Sequence, residues 1–194
     1  VGALVYNNVS GPPTAMGGLE TTTIPSMMIT LEAGLEAAAL ITGDANATAT
    51  MYVAQSFVYD ETWEDIMAGF SSRGPSQWEL LKPDYTGPGV NILAAVAALG
   101  DDVVRYDYYQ GTSMSSPHGA GSAALLTALH PDWSPAEIKS AIALTANQDV
   151  LDSDGINPAD PFDDGSGRID LAKAAFAGFV MDETSVNYLA ANPY

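Results

Sequence analysis

The sequence predicts an α/β protein, and three stretches carry that prediction. Val90 to Ala98 is almost wholly apolar, as a strand buried on both faces would be. Met114 to Leu129 is small or apolar at nearly every position, the pattern of a helix enclosed by a core. Ser134 to Ala146 carries helix-capping residues followed by apolar residues at helical spacing.

The elements follow in order. Ala3-Leu4-Val5-Tyr6 reads as a strand, with Asn7-Asn8 and Gly11-Pro12-Pro13 as its turn. Val1 to Tyr6 reads as a strand already under way, the pattern expected of a piece of a longer protein. Ile24 to Ile29 is a second strand, and Thr30 is placed to N-cap an Ala/Leu-rich helix with Ala33 at N3. Thr48 to Val53 returns to β-type residues. Phe70 to Pro75 and Asp84 to Val90 are loops of turn-forming residues, and Asp101 to Tyr109 is polar and aromatic. In the helix from Met114, Pro117 falls in the first turn, where a missing N–H is harmless. Gly119 and Gly121 weaken helix propensity and predict close approach of a neighbouring backbone.

Ser134 as N-cap, Pro135 at N1 and Glu137 at N3 make a capping box, with Ile138, Ala141, Ile142 and Thr145 on the buried face. A short helix follows Asp170 through Leu171 to Phe176, and Met181 to Tyr194 shows little pattern.

Composition narrows the function. Of 194 residues, 47% are hydrophobic and 9% aromatic, enough for a packed core rather than a disordered chain. Lys and Arg number 6 against 24 Asp and Glu, a formal charge of -18. That surface repels phosphate backbones and anionic headgroups, which argues against nucleic-acid and membrane-surface partners. There is no cysteine, so disulfides, thiolate metal sites and cysteine nucleophiles are excluded. No apolar run approaches the roughly 20 residues of a membrane span.

Gly111-Thr112-Ser113-Met114-Ser115-Ser116-Pro117-His118 is the most informative stretch. It sets a serine at the mouth of a helix, where its own N–H is an unpaired donor. A nucleophilic oxygen beside a pre-aimed oxyanion donor suits acyl transfer. On local chemistry alone, the same residues describe a capping serine in a tight turn better than a nucleophile. They do not form a nucleophile elbow, because Ser115 stands where that motif needs glycine.

The stretch resembles the serine motif of the subtilases, the subtilisin-like serine peptidases. Phe70-Ser71-Ser72-Arg73-Gly74-Pro75, Leu81-Lys82-Pro83-Asp84 with Pro88-Gly89-Val90-Asn91-Ile92, His130 to Ala146, and Gly165-Ser166-Gly167-Arg168-Ile169-Asp170 resemble further motifs of that family in the same order. Gly87 stands where the family usually has Ala, a small change in size. Gly2 to Asn8 and Thr23 to Ser26 resemble a protease-associated domain, often inserted in secreted subtilases.

The resemblance implies three regions. Residues 1–52 are the C-terminal half of a protease-associated domain, and 53–180 the C-terminal half of a catalytic domain with a doubly wound parallel sheet. Residues 181–194 open a following β-domain or serve as a linker. It implies a secreted endopeptidase acting on proteins or peptides, with Ser113 as nucleophile and oxyanion donor and with Phe70, Ser71, Gly111 and Thr112 lining the substrate. No cofactor is required for that chemistry. The family's Asp-Ser/Thr-Gly, His-Gly-Thr-His and Ala-Gly-Asn motifs do not occur here. The base, its orienting aspartate and the oxyanion asparagine are therefore expected from an N-terminal half, and the isolated chain is expected to be inactive. Either that half or a second copy is expected to pair the exposed sheet edges. His118 and His130 read as structural. The alternative reading is a non-catalytic fragment or pseudo-peptidase that binds peptides.

Asp152, Asp154 and Asn157 around Gly155 offer oxygen ligands of the kind calcium takes, without the closing Glu of an EF-hand. A solvated acidic loop is the other reading of the same residues.

Overall fold

Leu126 and Ile142, on two successive helices, are each 1% exposed and mark the centre of the main core in this computed structural model. The structure describes residues 2–11, 13, 23–44, 46–52, 60–76, 81–97 and 105–191. Val1, Pro12, Val53, Ala98, Asp101, Pro193 and Tyr194, which took part in expectations above, lie outside them. The chain divides into two units, 1–66 with 91–110 and 67–90 with 111–194.

In the first unit, β1 (Ala3–Tyr6) pairs in parallel with β2 (Ser26–Ile29), from Ala3 opposite Ser26 to Tyr6 opposite Ile29. The helix α1 (Leu31–Gly43) begins where the Thr30 hydroxyl accepts from the Ala33 N–H at 3.2 Å, as the sequence predicts. It packs on β1 through Gly34, where any Cβ would fall within 2.2 Å of the Tyr6 side chain. A 3₁₀ turn spans Glu61–Trp63.

Strand β3 (Ile92–Val96) pairs antiparallel with β4 (Arg105–Tyr109). This corrects the expectation of a strand buried on both faces. Leu93 is 54% exposed, and among the described residues the sheet stops at two strands. An apolar run records what a strand is suited to bury, whereas burial itself needs a layer against each face. No strand forms within 48–52.

The second unit holds α2 (Thr112–Leu129), α3 (Pro135–Thr145), α4 (Pro161–Asp164), α5 (Leu171–Ala174) and α6 (Ser185–Ala191). The capping box of α3 forms as expected: Ser134 Oγ accepts from the Glu137 N–H, and the Glu137 carboxylate accepts from the Ser134 N–H. Its buried face is Ile138, Ala141 and Ile142, which meets Leu126 and Ala174 with Tyr85, Trp133 and Ile169 packed around them. Each large side chain so buried contributes about 1.5–3 kcal/mol. At the end of α2, His130 stacks on Trp133 at 3.8 Å and bonds the Ala175 carbonyl through Nε2 at 2.9 Å.

Several expectations change here. Only Gly119, Ser122 and Leu126 of α2 are buried, while Leu125 and Leu129 are 62% and 54% exposed. One side of the helix packs on Tyr85 and α3, so its apolar composition exceeds what this unit covers. α5 ends at Ala174 rather than Phe176, which is exposed. The tail forms α6, with no buried residue, where the sequence showed little pattern.

The segments that flank the serine motif dock on one another. Gly165 has φ 68°, and a Cβ there would lie 2.5 Å from the Pro83 carbonyl oxygen, so both conformation and space require glycine. Ser166 donates from N–H and Oγ to the Asp84 carbonyl. Arg168 is bridged on one side to Thr86 and on the other to Asn147. Burial raises the Asp84 pKa, but the hydrogen bonds and charges of Lys139 and Lys82 outweigh it and hold the group below its ordinary value. The mixed helix and strand content is that of an α/β fold.

Candidate active site

The helix that bears Ser113 starts two residues earlier than the sequence suggests. Gly111 is its N-cap, with φ 146°, and the Gly111 carbonyl accepts from the N–H groups of Met114 and Ser115. Thr112 and Ser113 are thus the first two helical residues, and both are exposed. The Ser113 N–H belongs to the first turn, where no intrahelical acceptor exists, and the helix dipole adds partial positive charge there.

The earlier start also corrects the position of Pro117. It is the sixth residue of α2, inside the helix rather than in its first turn. Proline has no N–H, so the carbonyl of Ser113, four residues back, receives no helical hydrogen bond from it. The nucleophile candidate therefore sits on a helical turn whose ladder is interrupted directly beneath it.

A second segment fixes this turn from outside. The Gly111 N–H donates to the Gly89 carbonyl at 2.8 Å, and the Ser115 hydroxyl donates to the Gly87 carbonyl at 3.0 Å. A Cβ at Gly89 would lie 3.0 Å from the Gly111 carbonyl oxygen. The loop Thr86 to Val90 is thus held against the start of α2 by two backbone carbonyls. Sequence reasoning did not single out Ser115 and Gly89 as parts of the site. Both stand inside motifs named above, but neither motif shows that the two segments bond to each other.

Neither histidine of the chain approaches the Ser113 hydroxyl as a base. His118 Nδ1 bonds the Met114 carbonyl of its own helix at 2.7 Å, which fixes the ring along the helix surface. His130 caps the far end of α2, about 25 Å away at 1.5 Å per residue. Among the described residues, no side chain hydrogen-bonds to the Ser113 hydroxyl.

Phe70 and Ser71 lie in a turn closed by the Ser71 N–H on the Ala68 carbonyl at 2.8 Å, and Phe70 is 45% exposed. This loop is anchored on α4. Arg73 pairs with Asp160 at 2.5 Å and with the buried Asp163 at 2.6 Å, while the Gly74 N–H donates to the Phe162 carbonyl. No hydrogen bond or ion pair among the described residues joins Phe70 or Ser71 to Ser113. Beside this anchor, burial pushes the Asp164 pKa up, and the charges of Asp163 and Asp160 add to it against a hydrogen bond from its own backbone.

The acidic residues considered for calcium are organised as turns. Asp154 Oδ1 accepts from the N–H groups of Ile156 and Asn157, and Asn157 Nδ2 donates to Asp154 Oδ2 at 2.6 Å. Those hydrogen bonds, the backbone ones first, lower the Asp154 pKa. Asp152 accepts instead from Ser153 N–H. Among the described residues, no three His, Asp or Glu side chains converge as metal ligands.

The site's geometry is an exposed serine in the first turn of a helix whose start is braced by the Thr86 to Val90 loop. The chain matches the Peptidase S8 "Subtilase family" over residues 21–167 and belongs to that family. It is 45% identical over 133 residues to "Subtilisin-like protease SBT1.3" of Arabidopsis thaliana, covering 60% of this chain and 17% of that protein. It is 34% identical over 182 residues to "Subtilisin-like protease SBT3" of Solanum lycopersicum, covering 85% of this chain and 24% of that one. Among solved structures it is similar to fervidolysin from Fervidobacterium pennivorans, described as a keratinolytic enzyme related to subtilisin. That likeness has TM-score 0.40 and 31% identity, over 50% of this chain and 15% of that chain. The chain spans about a fifth of the length of the curated relatives it matches.

Proposed function

We propose that Ser113 is the nucleophile of a secreted serine endopeptidase that hydrolyses peptide bonds of protein substrates. The observation that carries this reading is an exposed serine in the first turn of an 18-residue helix, in a chain of the subtilase family. Ser113 Oγ attacks the substrate carbonyl, and the Ser113 N–H donates to the oxyanion of the tetrahedral intermediate. The proton leaves Oγ for a histidine base oriented by an aspartate, and an asparagine completes the oxyanion site.

Those three partners come from outside these 194 residues. Both histidines present are committed elsewhere, to the Met114 and Ala175 carbonyls. Loss of the base lowers kcat about a millionfold in subtilisin itself, so the chain alone is inactive. The complementing segment of the catalytic domain is the partner for this chain. It gains affinity from open strand edges, which both two-stranded sheets present among the described residues. Secretion belongs to this reading through the family resemblance alone.

A fluorophosphonate probe tests the nucleophile. With a complementing segment that carries the Asp, His and Asn motifs, Ser113 becomes labelled and Ser113→Ala does not. Labelling of wild type and Ser113→Ala to the same extent contradicts the assignment.

A further inference from the structure

Two of the eight asparagines in the chain are followed at the second position by Ser or Thr with no proline between: Asn8-Val9-Ser10 and Asn46-Ala47-Thr48. That spacing is the acceptor signal for N-linked glycosylation, which requires an accessible asparagine in a protein passing through the secretory pathway. Both triplets meet the structural requirement. Asn8, Val9 and Ser10 form an exposed bend directly after β1, and Asn46, Ala47 and Thr48 are exposed directly after α1.

The local geometry favours acceptance at each. The Asn46 N–H donates to Asp44 Oδ1 at 2.9 Å and the Ala47 N–H to the Asp44 carbonyl at 3.0 Å, so Asn46 stands in a tight turn beyond the helix end. Ser10 Oγ donates to Glu32 Oε1 at 2.5 Å, which ties the first triplet to the opening turn of α1. Among the described residues, no hydrogen bond engages the side-chain amide of Asn8 or Asn46. One triplet thus sits at the start of α1 and the other follows its end. Thirteen residues at 1.5 Å each set them about 20 Å apart, room for two separate glycans.

We propose that Asn8 and Asn46 are N-glycosylation sites, an inference that rests on the secreted reading above. In the transfer, Nδ2 of the asparagine bonds to C1 of the first sugar of a lipid-pyrophosphate-linked oligosaccharide. The bond from C1 to the pyrophosphate oxygen breaks, the lipid pyrophosphate leaves, and the amide nitrogen loses one proton. Both sites belong to the first unit, whereas Ser113 belongs to the second.

The test is expression of the 194-residue chain behind a cleavable secretory leader in a eukaryotic host, with secreted and retained fractions both analysed. Peptide-N-glycosidase treatment in ¹⁸O water is expected to convert Asn8 and Asn46 to ¹⁸O-labelled Asp, and to shift the band by two glycans. Asn46→Gln and Thr48→Ala should each remove one step of that shift, whereas Thr48→Ser should keep it. Asn8→Gln and Ser10→Ala should remove the other. An unlabelled asparagine at either position overturns that site, and no shift at all overturns the proposal. Glycan occupancy does not depend on turnover. An occupied but inactive complemented enzyme would sink the peptidase reading alone, and an active one with bare asparagines would sink this inference alone.

Discussion

The Ser115 hydroxyl donates to the Gly87 carbonyl at 3.0 Å, two residues beyond Ser113 and across 28 positions of sequence. The bond matters because Pro117 withholds the helical hydrogen bond from the Ser113 carbonyl, so the first turn of α2 depends on outside support. Ser115→Ala should lower stability by about 1 kcal/mol, the usual worth of such a bond, as read by urea denaturation.

Gly87 and Ser115 should also be coupled. A Cβ at Gly87 would meet Ser115 Oγ at 3.3 Å, a contact that shifts the hydroxyl by a few tenths of an ångström and strains its bond. Gly87→Ala alone should therefore cost stability, while the same change in a Ser115→Ala background should cost less. A double-mutant cycle should give a coupling on the order of 0.5–1 kcal/mol. Strict additivity would show that the two residues act independently.

Arg73 holds the loop that bears Phe70 and Ser71. Its removal strands the Asp163 carboxylate, 6% exposed, beside Asp164 without a cation. Arg73 is itself half exposed, so Arg73→Ala should cost about 1–2 kcal/mol, less than a fully buried pair. Lys at this position can reach one carboxylate but lacks the fork that spans both Asp160 and Asp163. Limited proteolysis should cut the 68–75 loop faster in both variants, and faster in Arg73→Ala than in Arg73→Lys.

Asp164 and Asp84, shifted in opposite directions, should show opposite pH dependence. Asp164 has a raised pKa in the folded chain. Its contribution is therefore fully present below the unfolded value, near 4, and is lost as pH rises through the folded value. Asp164→Asn should raise Tm at neutral pH and change it little in acid. Asp84 has a lowered pKa, so its contribution is present above the unfolded value and lost as pH falls through the folded one. Asp84→Asn should lower Tm at neutral pH and converge with wild type in acid. Parallel Tm–pH curves for either variant would show that its carboxyl is not the titrating group.

Gly165 tests how the closing motif docks. A Cβ there meets backbone of Pro83 and Asp84 at 2.5 Å while φ is 68°, so neither rotation nor side-chain movement relieves it. Gly165→Ala should cost roughly 3 kcal/mol, whereas Gly121→Ala, inside α2 with nothing within 4 Å, should add about 0.5–1 kcal/mol of stability.

What the sequence made legible was mostly local. The Ser134–Glu137 capping box and the Thr30 cap involve partners three residues apart, and both form as read. The buried face of α3 was legible for the same reason. Three things turned on partners distant in sequence and were misjudged. They are the antiparallel pairing of β3 with β4, the one-sided burial of α2, and the start of α2 at Thr112 under the Gly89 carbonyl. The helix α6 has no buried residue, so no packing pattern announced it. Ser113 and the Pro88 to Ile92 motif both stood out by the order of the motifs, while the bonds between them did not, because a carbonyl acceptor leaves no mark on residue type.

Ser113, as proposed, is a nucleophile that works only with partners supplied from outside these 194 residues. Its most direct test is the initial rate of casein hydrolysis by the isolated chain, by the chain recombined with a segment carrying the Asp, His and Asn motifs, and by the recombined Ser113→Ala variant. Turnover is expected only in the second. Hydrolysis by the isolated chain, or undiminished turnover by the recombined variant, would contradict it.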